Sequence, residues 1–452
     1  MIQDKLFYYG FRAANIPRKG MVYISLIVLY MLFSFKVIAQ TKVVSFNKLS
    51  LHEATSLALE NNPSIRLANS AYNVNVAGLR QSRSGLFPNI NFSAQGSRTE
   101  GAFIFNPDFP AREQKYNNYT TGISINQLIY DFGRTTSRIE ASEDLVDASN
   151  YDYISAKENV IVNVQVAYFS YLQAQYVAKV NEDLLRQAEE HLKIAKAFYS
   201  AGQRPQYDVT KAEVDVANAN VNLLGARNQV QITRLQLENA MGIQNPELYT
   251  VTDSLAIVPF NISIDSARAI SFNSRSELKA LNFRLQANEN LVSSSWSQNL
   301  PALTAFGTYN WNGFEPTSLK SRWNAGVTFN FPIFQGFAVS AQVEQNQANV
   351  QQVQANIEST RQAILLEVSQ YYLSMKEALN RIDAANKLIQ STVENLRLAE
   401  GRYNSGVGSA TEITDAQLLL SNARITYIQG LYDYNTSVIR LKKSMGIISN
   451  GS

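Results

Sequence analysis

The chain lacks cysteine altogether and has only two histidines, His52 and His191, among its 452 residues. Without cysteine there is no disulfide framework, no thiolate metal site and no lipid-modified N-terminal cysteine. The histidines lie in different predicted helices and have no third ligand, so we predict a solvated helix position for each. The sequence also has no phosphate-binding glycine-rich loop and no nucleophile elbow. We therefore predict no catalytic, metal or cofactor site, and a protein that is not an enzyme.

Long hydrophobic runs are equally scarce. One extends from Met21 to Phe35, follows a basic Arg-Lys pair and leads into Val37-Ile38-Ala39. This pattern predicts a secretory signal peptide over residues 1–39, whose first part is a possible upstream start extension. An uncleaved membrane anchor is the alternative, but the run is short for a bilayer-spanning helix and ends at Lys36.

Charge of either sign is nearly balanced. The formal net charge is +3, but residues 1–39 hold five basic residues and one acidic residue, which leaves 35 basic and 36 acidic residues in the remainder. A chain so close to neutrality has no bulk electrostatic attraction for nucleic acid. We predict no nucleic-acid partner.

The sequence contains an internal duplication, which organises the rest of the chain. A Tyr-x-x-Gly motif at Tyr199, followed by an acid, an aliphatic residue and threonine, recurs 204 positions later at Tyr403. A Met-Gly-Ile motif recurs at the same offset, and Pro88 is matched by Pro301 at an offset of 213. We predict two structural repeats, over residues 49–243 and 262–447.

Each repeat is predicted to contain a helix, two strands joined by a loop, a long helix, a break and a last helix. The predicted strands cover about residues 88–97, 119–131, 301–312 and 323–334, each with an apolar face and a face of Asn, Thr and Ser. Strands of about ten residues with this alternation are typical of transmembrane barrels, although a soluble antiparallel sheet alternates in the same way. Four strands are too few to close a barrel by themselves, because about eight is the practical minimum. The pattern therefore requires oligomerisation.

Aromatic residues gather at the ends of these strands, as they do at membrane interfaces. We predict two groups of interfacial aromatics, one at each end: Tyr119, Tyr309, Trp311 and Trp323, and Phe87, Tyr130 and Phe334.

The predicted helices are unusually long. No proline occurs between Thr136 and Tyr199, so a continuous helix there would measure about 95 Å. After it, residues 209–240 follow a strict heptad pattern that recurs in residues 413–444. Such a period indicates left-handed supercoiling against a neighbouring helix. A cytoplasmic coiled coil would share this period, but it would have neither a signal peptide nor the strands.

With these features in order, the chain resembles the TolC family of outer-membrane efflux channels over about residues 49–447. The resemblance includes Tyr130-Asp131-Phe132-Gly133 and Ile333-Phe334-Gln335-Gly336, where the second strand of each repeat passes into its long helix. It implies a mixed α and β membrane protein in which each protomer contributes four strands to a trimeric 12-stranded β-barrel. A long periplasmic α-helical coiled-coil barrel would continue this barrel.

The resemblance also implies a function and partners. It implies an outer-membrane channel of a tripartite efflux or type I secretion system, located in the cell outer membrane and extending into the periplasm. The implied partners are a homotrimer, outer-membrane lipid, a periplasmic adaptor (membrane fusion) protein and an inner-membrane pump of RND, ABC or MFS type. A periplasmic coiled-coil scaffold without a pore is the alternative.

In the family, the turns between the long helix and the heptad helix form the periplasmic tips. The resemblance assigns these turns to residues 200–204, the first tip, and residues 404–408, the second tip. It assigns adaptor docking to Ala201, Gly202, Gln203, Ser405, Gly406 and Val407.

The resemblance further assigns a gate, the narrow entrance of the channel. Asp208 and Tyr403 match a closing acid and tyrosine, but Gly408 stands where the family has an arginine, and Arg204 is the candidate replacement. Glu412 and Asp415 match acids that ring the entrance. Their alternative role is local, because Ser409-x-x-Glu412 is also a capping box.

Overall fold

The computed structural model describes residues 48–103, 112–243 and 249–448. The predicted signal peptide lies outside these ranges. Within them, none of the helices combines the length and apolar character needed to cross a membrane.

The described elements follow the same order in both halves of the chain. The first half contains β1 (Lys48–Leu49), α1 (Leu51–Asn61), α2 (Pro63–Arg83), β2 (Asn89–Phe103), β3 (Arg112–Tyr130), α3 (Arg134–Ser200) and α4 (Gln206–Met241). The second half contains β4 (Thr250–Val251), α5 (Ile264–Ser274), α6 (Ser276–Trp296), β5 (Ala302–Gly313), β6 (Lys320–Asn330), α7 (Ala338–Asn404) and α8 (Ala410–Ser444).

Matched helices have equal lengths, except that α4 has 36 residues and α8 has 35. Helices α1 and α5 have 11 residues each and begin 213 positions apart, at Leu51 and Ile264. Helices α3 and α7 have 67 residues each and begin 204 positions apart, at Arg134 and Ala338. The offset changes between β2 and α3, where the first hairpin is longer than the second.

Helix boundaries follow from local chemistry. Ser50 and Glu53 form a capping box at the start of α1. Asn62 ends α1 and caps α2, whose first residue is Pro63, because proline lacks the N–H that this position leaves unpaired. A second capping box, between Ser409 and Glu412, begins α8.

Strands β2, β3, β5 and β6 form an antiparallel sheet in that order. Directly opposed residues share a face of such a sheet. One row across it is Phe92, Ile123, Tyr309 and Trp323, and the neighbouring row on the other face is Asn91, Ser124, Thr308 and Asn324. All four members of the first row are exposed, Trp323 by 75%. The isolated protomer therefore leaves the apolar face of its sheet uncovered.

The strand boundaries differ from those predicted. Pairing in the first hairpin continues from Ser97 opposite Asn118 to Phe103 opposite Arg112, so β2 and β3 extend well beyond residues 88–97 and 119–131. Alternation missed this extension, because its two faces are both polar. In the second hairpin, β6 begins at Lys320 and ends at Asn330 instead of spanning 323–334. Pro332 follows closely and cannot donate a ladder hydrogen bond.

The largest cluster of buried apolar side chains lies at mid-length of the long helices. Tyr168 of α3 is fully buried there, and its hydroxyl donates to the Leu49 carbonyl oxygen at 3.1 Å. A separate cluster lies at the end of α7 and the beginning of α8, and it surrounds Tyr403 and Ile413. This second cluster carries the candidate gate.

Candidate gate at the two tips

The two tips have the same backbone structure. In the first, the Gly202 N–H donates to the Tyr199 carbonyl and the Gln203 N–H to the Phe198 carbonyl, both at 2.9 Å. The matching bonds of the second tip, from Gly406 and Val407, are both 3.0 Å. Gly202 and Gly406 have φ of +72° and +84°, a left-handed conformation that closes helices in this motif and favours glycine.

Tyr403 is the centre of the gate residues. Its exposed fraction is 0%, and its ring centroid lies 5.0 Å from that of His191 and 5.9 Å from that of Phe198. Its hydroxyl lies 3.5 Å from Asp208 Oδ2, the long limit of a hydrogen bond. Burial, together with the nearby Asp208 charge, raises the pKa of Tyr403, so this tyrosine stays protonated and can donate.

Arg204 connects the first tip to the second. Its guanidinium donates to the carbonyl oxygens of Tyr403 at 3.0 Å and Gly408 at 2.8 Å, and it lies 4.6 Å from the centroid of the Tyr403 ring. A Cβ atom at Gly408 would be 2.9 Å from the Tyr403 nitrogen, so this backbone has no room for a side chain there. The arginine of the first tip thus reaches the turn in which the family's arginine is missing.

A second polar link joins α4 to α8 nearby. Asp215 Oδ2 accepts from the Thr414 hydroxyl at 2.7 Å, while Oδ1 accepts from Lys211 at 2.5 Å. From the sequence, only the ion pair between Lys211 and Asp215 could be predicted, because these residues lie one helical turn apart. Thr414 was not predicted as part of the site.

Glu412 has a partner that was not predicted. Arg402 Nε donates to Glu412 Oε2 at 3.0 Å, and both side chains are exposed. The hydrogen bond from Arg402 is the main cause of a lowered Glu412 pKa, with a further contribution from the Ser409 N–H. Asp415 is exposed one turn further along α8. Capping and a surface charge therefore coexist at Glu412.

The prediction for His191 was wrong. Its exposed fraction is 5%, because α3 turns this side chain towards Tyr403 of α7. No hydrogen-bond partner of Nε2 is present among the described residues. His191 also lines a cavity of about 210 Å³ together with Glu190, Glu400 and Gln417. His52 lies far along the sequence in α1 and is exposed.

The predicted interfacial aromatics form two groups at opposite ends of the second hairpin, while Tyr119 lies inside the longer β3, seven residues from its start at Arg112. At one end, the Tyr309 and Trp311 ring centroids are 4.7 Å apart, Trp323 is opposite Tyr309, and Tyr119 is opposite Gly313. At the other end, Tyr130 contacts Phe132, and Phe334 contacts Phe337. Phe87 precedes β2 at this same end.

The exposed aromatics missed at the second end include Phe132, Phe337 and Trp296. Phe132 and Phe337 have φ of 53° and 62°, a left-handed conformation that costs a non-glycine residue about 1–2 kcal/mol. Each is adjacent to a glycine of positive φ, Gly133 or Gly336. In the sequence, the pairs Phe132-Gly133 and Gly336-Phe337 could have indicated these two turns; Trp296 has no such neighbour.

A family model described as outer membrane efflux protein matches residues 54–243 and 271–447. The chain is 25% identical over 410 residues to a probable efflux pump outer membrane protein, TtgC, of Pseudomonas putida, with 89% of this chain and 84% of that relative covered. It is 22% identical over 414 residues to the outer membrane protein TolC of Vibrio cholerae, with 88% and 91% covered.

Solved structures give the same result for the fold. The Campylobacter jejuni CmeC outer membrane channel has a TM-score of 0.76 and 21% identity, with 89% of this chain and 87% of that chain covered. The open state of the Neisseria gonorrhoeae MtrE outer membrane channel has a TM-score of 0.76 and 20% identity, with 88% of each chain covered. The predicted TolC-like fold class is confirmed.

Proposed function

Because the chain belongs to the outer membrane efflux protein family, we propose that three copies form the channel that conducts substrates from a periplasmic adaptor and an inner-membrane pump to the exterior. The family membership favours a channel over the pore-less periplasmic scaffold. The observation that carries the proposal is the sheet register, which puts the exposed row Phe92, Ile123, Tyr309 and Trp323 on one face and the polar row Asn91, Ser124, Thr308 and Asn324 on the other. An apolar face suits lipid and a polar face suits a hydrated lumen.

The trimer follows from strand number and free edges. The sheet of the described protomer has edge strands β2 and β6, whose outer backbone groups need partners in a membrane. Pairing β6 of one copy with β2 of the next extends the sheet, and three copies supply enough strands to close it. The long helices α3 and α7 would then continue the wall into the periplasm.

Docking of the adaptor is proposed at the two tips. Val407 is 72% exposed there, and Ala201, Gln203 and Ser405 are exposed as well. A Cβ atom added at Gly202 or Gly406 would meet nothing within 4 Å. These turns therefore offer open backbone and small side chains to a partner. The pump behind the adaptor would be of RND, ABC or MFS type.

Valine at both Gly202 and Gly406 is expected to abolish export while trimers remain in the membrane. A β-branched residue is strained at positive φ and projects from the turn into the proposed contact. Asparagine at both positions is the matched control, because it tolerates the left-handed conformation and should preserve much of the export. The measurement is export of a fluorescent pump substrate by cells, beside the trimer content of their outer membranes. Export that survives both valines would exclude the tips as the docking site.

The gate is proposed to close through Arg204, Tyr403 and Asp208, with Glu412 and Asp415 around its entrance. In a trimer the two acids would become six carboxylates around the axis. Close carboxylates attract cations and raise one another's proton affinity. The positive charge of Arg402 opposes the negative potential of these carboxylates, because Arg402 pairs with Glu412.

Glu412→Gln combined with Asp415→Asn is expected to reduce cation preference and block by multivalent metal ions in planar-bilayer recordings. We expect the cation-to-anion permeability ratio to fall about two- to fivefold, an effect that salt screens. Arg402→Gln is the opposing control and should raise the ratio. Stability should change little, because the amides retain much of the capping geometry. If assembled channels of both variants keep the wild-type ratio, capping alone explains Glu412.

A further inference from the structure

His191 occupies an unusual position for a titratable side chain. It is 95% removed from solvent, its ring meets the Tyr403 ring at 67°, and Nε2 has no hydrogen-bond partner within the described part of the chain. Tyr403 in turn carries the Arg204 guanidinium on its ring. His191 therefore supports the same tyrosine that the proposed gate uses, although it belongs to a different helix.

Charged and titratable groups face His191 from several helices. Its own helix α3 supplies Glu190, α4 supplies Asp208, Lys211 and Asp215, and α7 supplies Glu400 and Tyr403, whereas α8 supplies the uncharged Ile413 and Gln417. Two of these carboxylates have their own partners, since Asp215 binds Lys211 and Thr414, and Asp208 lies beside the Tyr403 hydroxyl.

The balance of these effects favours neutral imidazole in the tip of this structure. Burial lowers the pKa of His191, Asp215 and Asp208 oppose this shift, and Lys211 adds to it. Burial is the largest effect because an imidazolium ion loses its hydration there. This tip thus holds the only buried histidine among the described residues in the uncharged form.

We propose that His191 is a proton-sensitive positioning residue of the gate, which holds Tyr403 in the closed tip when neutral and releases it when protonated. The inference rests on the proposed gate. A protonated ring has two N–H donors, and the unpartnered Nε2 would become one of them. Hydration of the protonated ring requires water to enter between α3 and α7. The two helices would then move apart, and the Tyr403 ring would lose its contact with His191.

The direction of the pH effect follows from linkage. In an open tip, His191 reaches water and its pKa returns towards the ordinary value of about 6.5. The proton then binds the open tip more tightly than the closed one, where the pKa is lower. Closure is therefore fully favoured above the open-state pKa and weakens as pH falls through the interval between the two values. Three copies of the histidine would make the transition steeper than a single site.

The test is single-channel recording of wild-type protein and His191→Gln at neutral and acidic pH. For wild-type channels we expect the open-to-closed ratio to rise at least about fivefold between about pH 7.5 and about pH 5.5. For His191→Gln, which is polar but does not titrate in this range, the ratio should change by less than about twofold over the same interval. His52→Gln is the matched control, because it removes the other histidine and should respond as the wild type does. Exposed acids such as Glu412 titrate equally in all three proteins.

Two results would overturn the inference: a wild-type ratio that does not rise on acidification, or a His191→Gln response equal to that of the wild type. Should His191→Gln fail to assemble, His191→Phe replaces it, since phenylalanine keeps a ring against Tyr403 and cannot take a proton. Arg204→Ala distinguishes failure of the His191 proposal from failure of the proposed gate. If that variant conducts as the wild type does, the gate is misplaced; if it opens while His191→Gln keeps the wild-type pH response, only the role of His191 fails.

Discussion

Arg204→Ala is expected to open the closed tip and raise single-channel conductance at neutral pH. The substitution removes two charge-assisted hydrogen bonds, to the carbonyl oxygens of Tyr403 and Gly408, and the cation on the Tyr403 ring. Each hydrogen bond of this kind contributes about 1.5–3 kcal/mol, so the loss of even one should lower the closed-to-open ratio about tenfold to a hundredfold. Because the Gly408 carbonyl lies in the second tip, its loss of a partner separates the two turns directly.

Three further variants make this expectation specific. Arg204→Lys keeps the charge but not the planar fork, so it should open the tip only in part. Arg397→Ala is the matched control, because Arg397 pairs with Glu394, three residues away on the exposed face of α7, and its loss should leave conductance unchanged. Arginine at position 408 in the Arg204→Ala background should not restore closure, since a Cβ there would collide with the Tyr403 nitrogen. A closed Arg204→Ala channel would contradict the proposed latch.

Gly242→Ala and Gly446→Ala are each expected to destabilise the folded chain strongly. A Cβ at Gly242 would be 2.8 Å from the Asn62 Cα, and one at Gly446 would be 2.7 Å from the Ser274 carbonyl carbon. Both glycines also have positive φ, +70° and +69°. Overpacking against backbone together with a left-handed alanine should cost about 2–4 kcal/mol at each position.

The chain offers a matched control for this pair in Gly225. It lies inside α4, and a Cβ there would meet nothing within 4 Å. Alanine at Gly225 should therefore stabilise the helix by about 0.5–1 kcal/mol. Thermal unfolding followed by circular dichroism, at equal detergent concentration, measures all three variants. Equal stability of the wild type and Gly242→Ala would mean that the junction between α1 and α2 does not press on the end of α4.

The duplicated glycines make the same close contact in both repeats. Gly242 ends α4 beside the junction of α1 and α2, and Gly446 follows α8 beside the junction of α5 and α6. Each short helix pair can approach the end of its heptad helix only where no side chain intervenes. The Met-Gly-Ile motif that revealed the duplication is thus a packing requirement at the same place in both copies.

Features with a regular period could be predicted from the sequence. Alternation with a period of two located four strands and their two faces, the run without proline located the first 67-residue helix, and the duplication located the second. The heptad pattern located the buried stripes of α4 and α8, including Ala212 and Ala416. These signals are local, because a residue's place on one face of a helix or strand depends only on its own element.

Contacts between distant residues were decided by the tertiary structure. Periodicity predicted that His191 lies in a helix, but it could not predict which residue His191 contacts. Its contact, Tyr403, is more than two hundred positions away in the chain. The same holds for Arg204, whose hydrogen-bond partners Tyr403 and Gly408 belong to the second repeat. The polar extension of the first hairpin is likewise formed by hydrogen bonds between two strands, which alternation within one strand does not reveal. By itself, the sequence determined the elements, their duplication and the family they indicate. Only the packing of one element against another decided which buried groups face each other at the tips, because burial and hydrogen bonding depend on neighbours that no local period encodes.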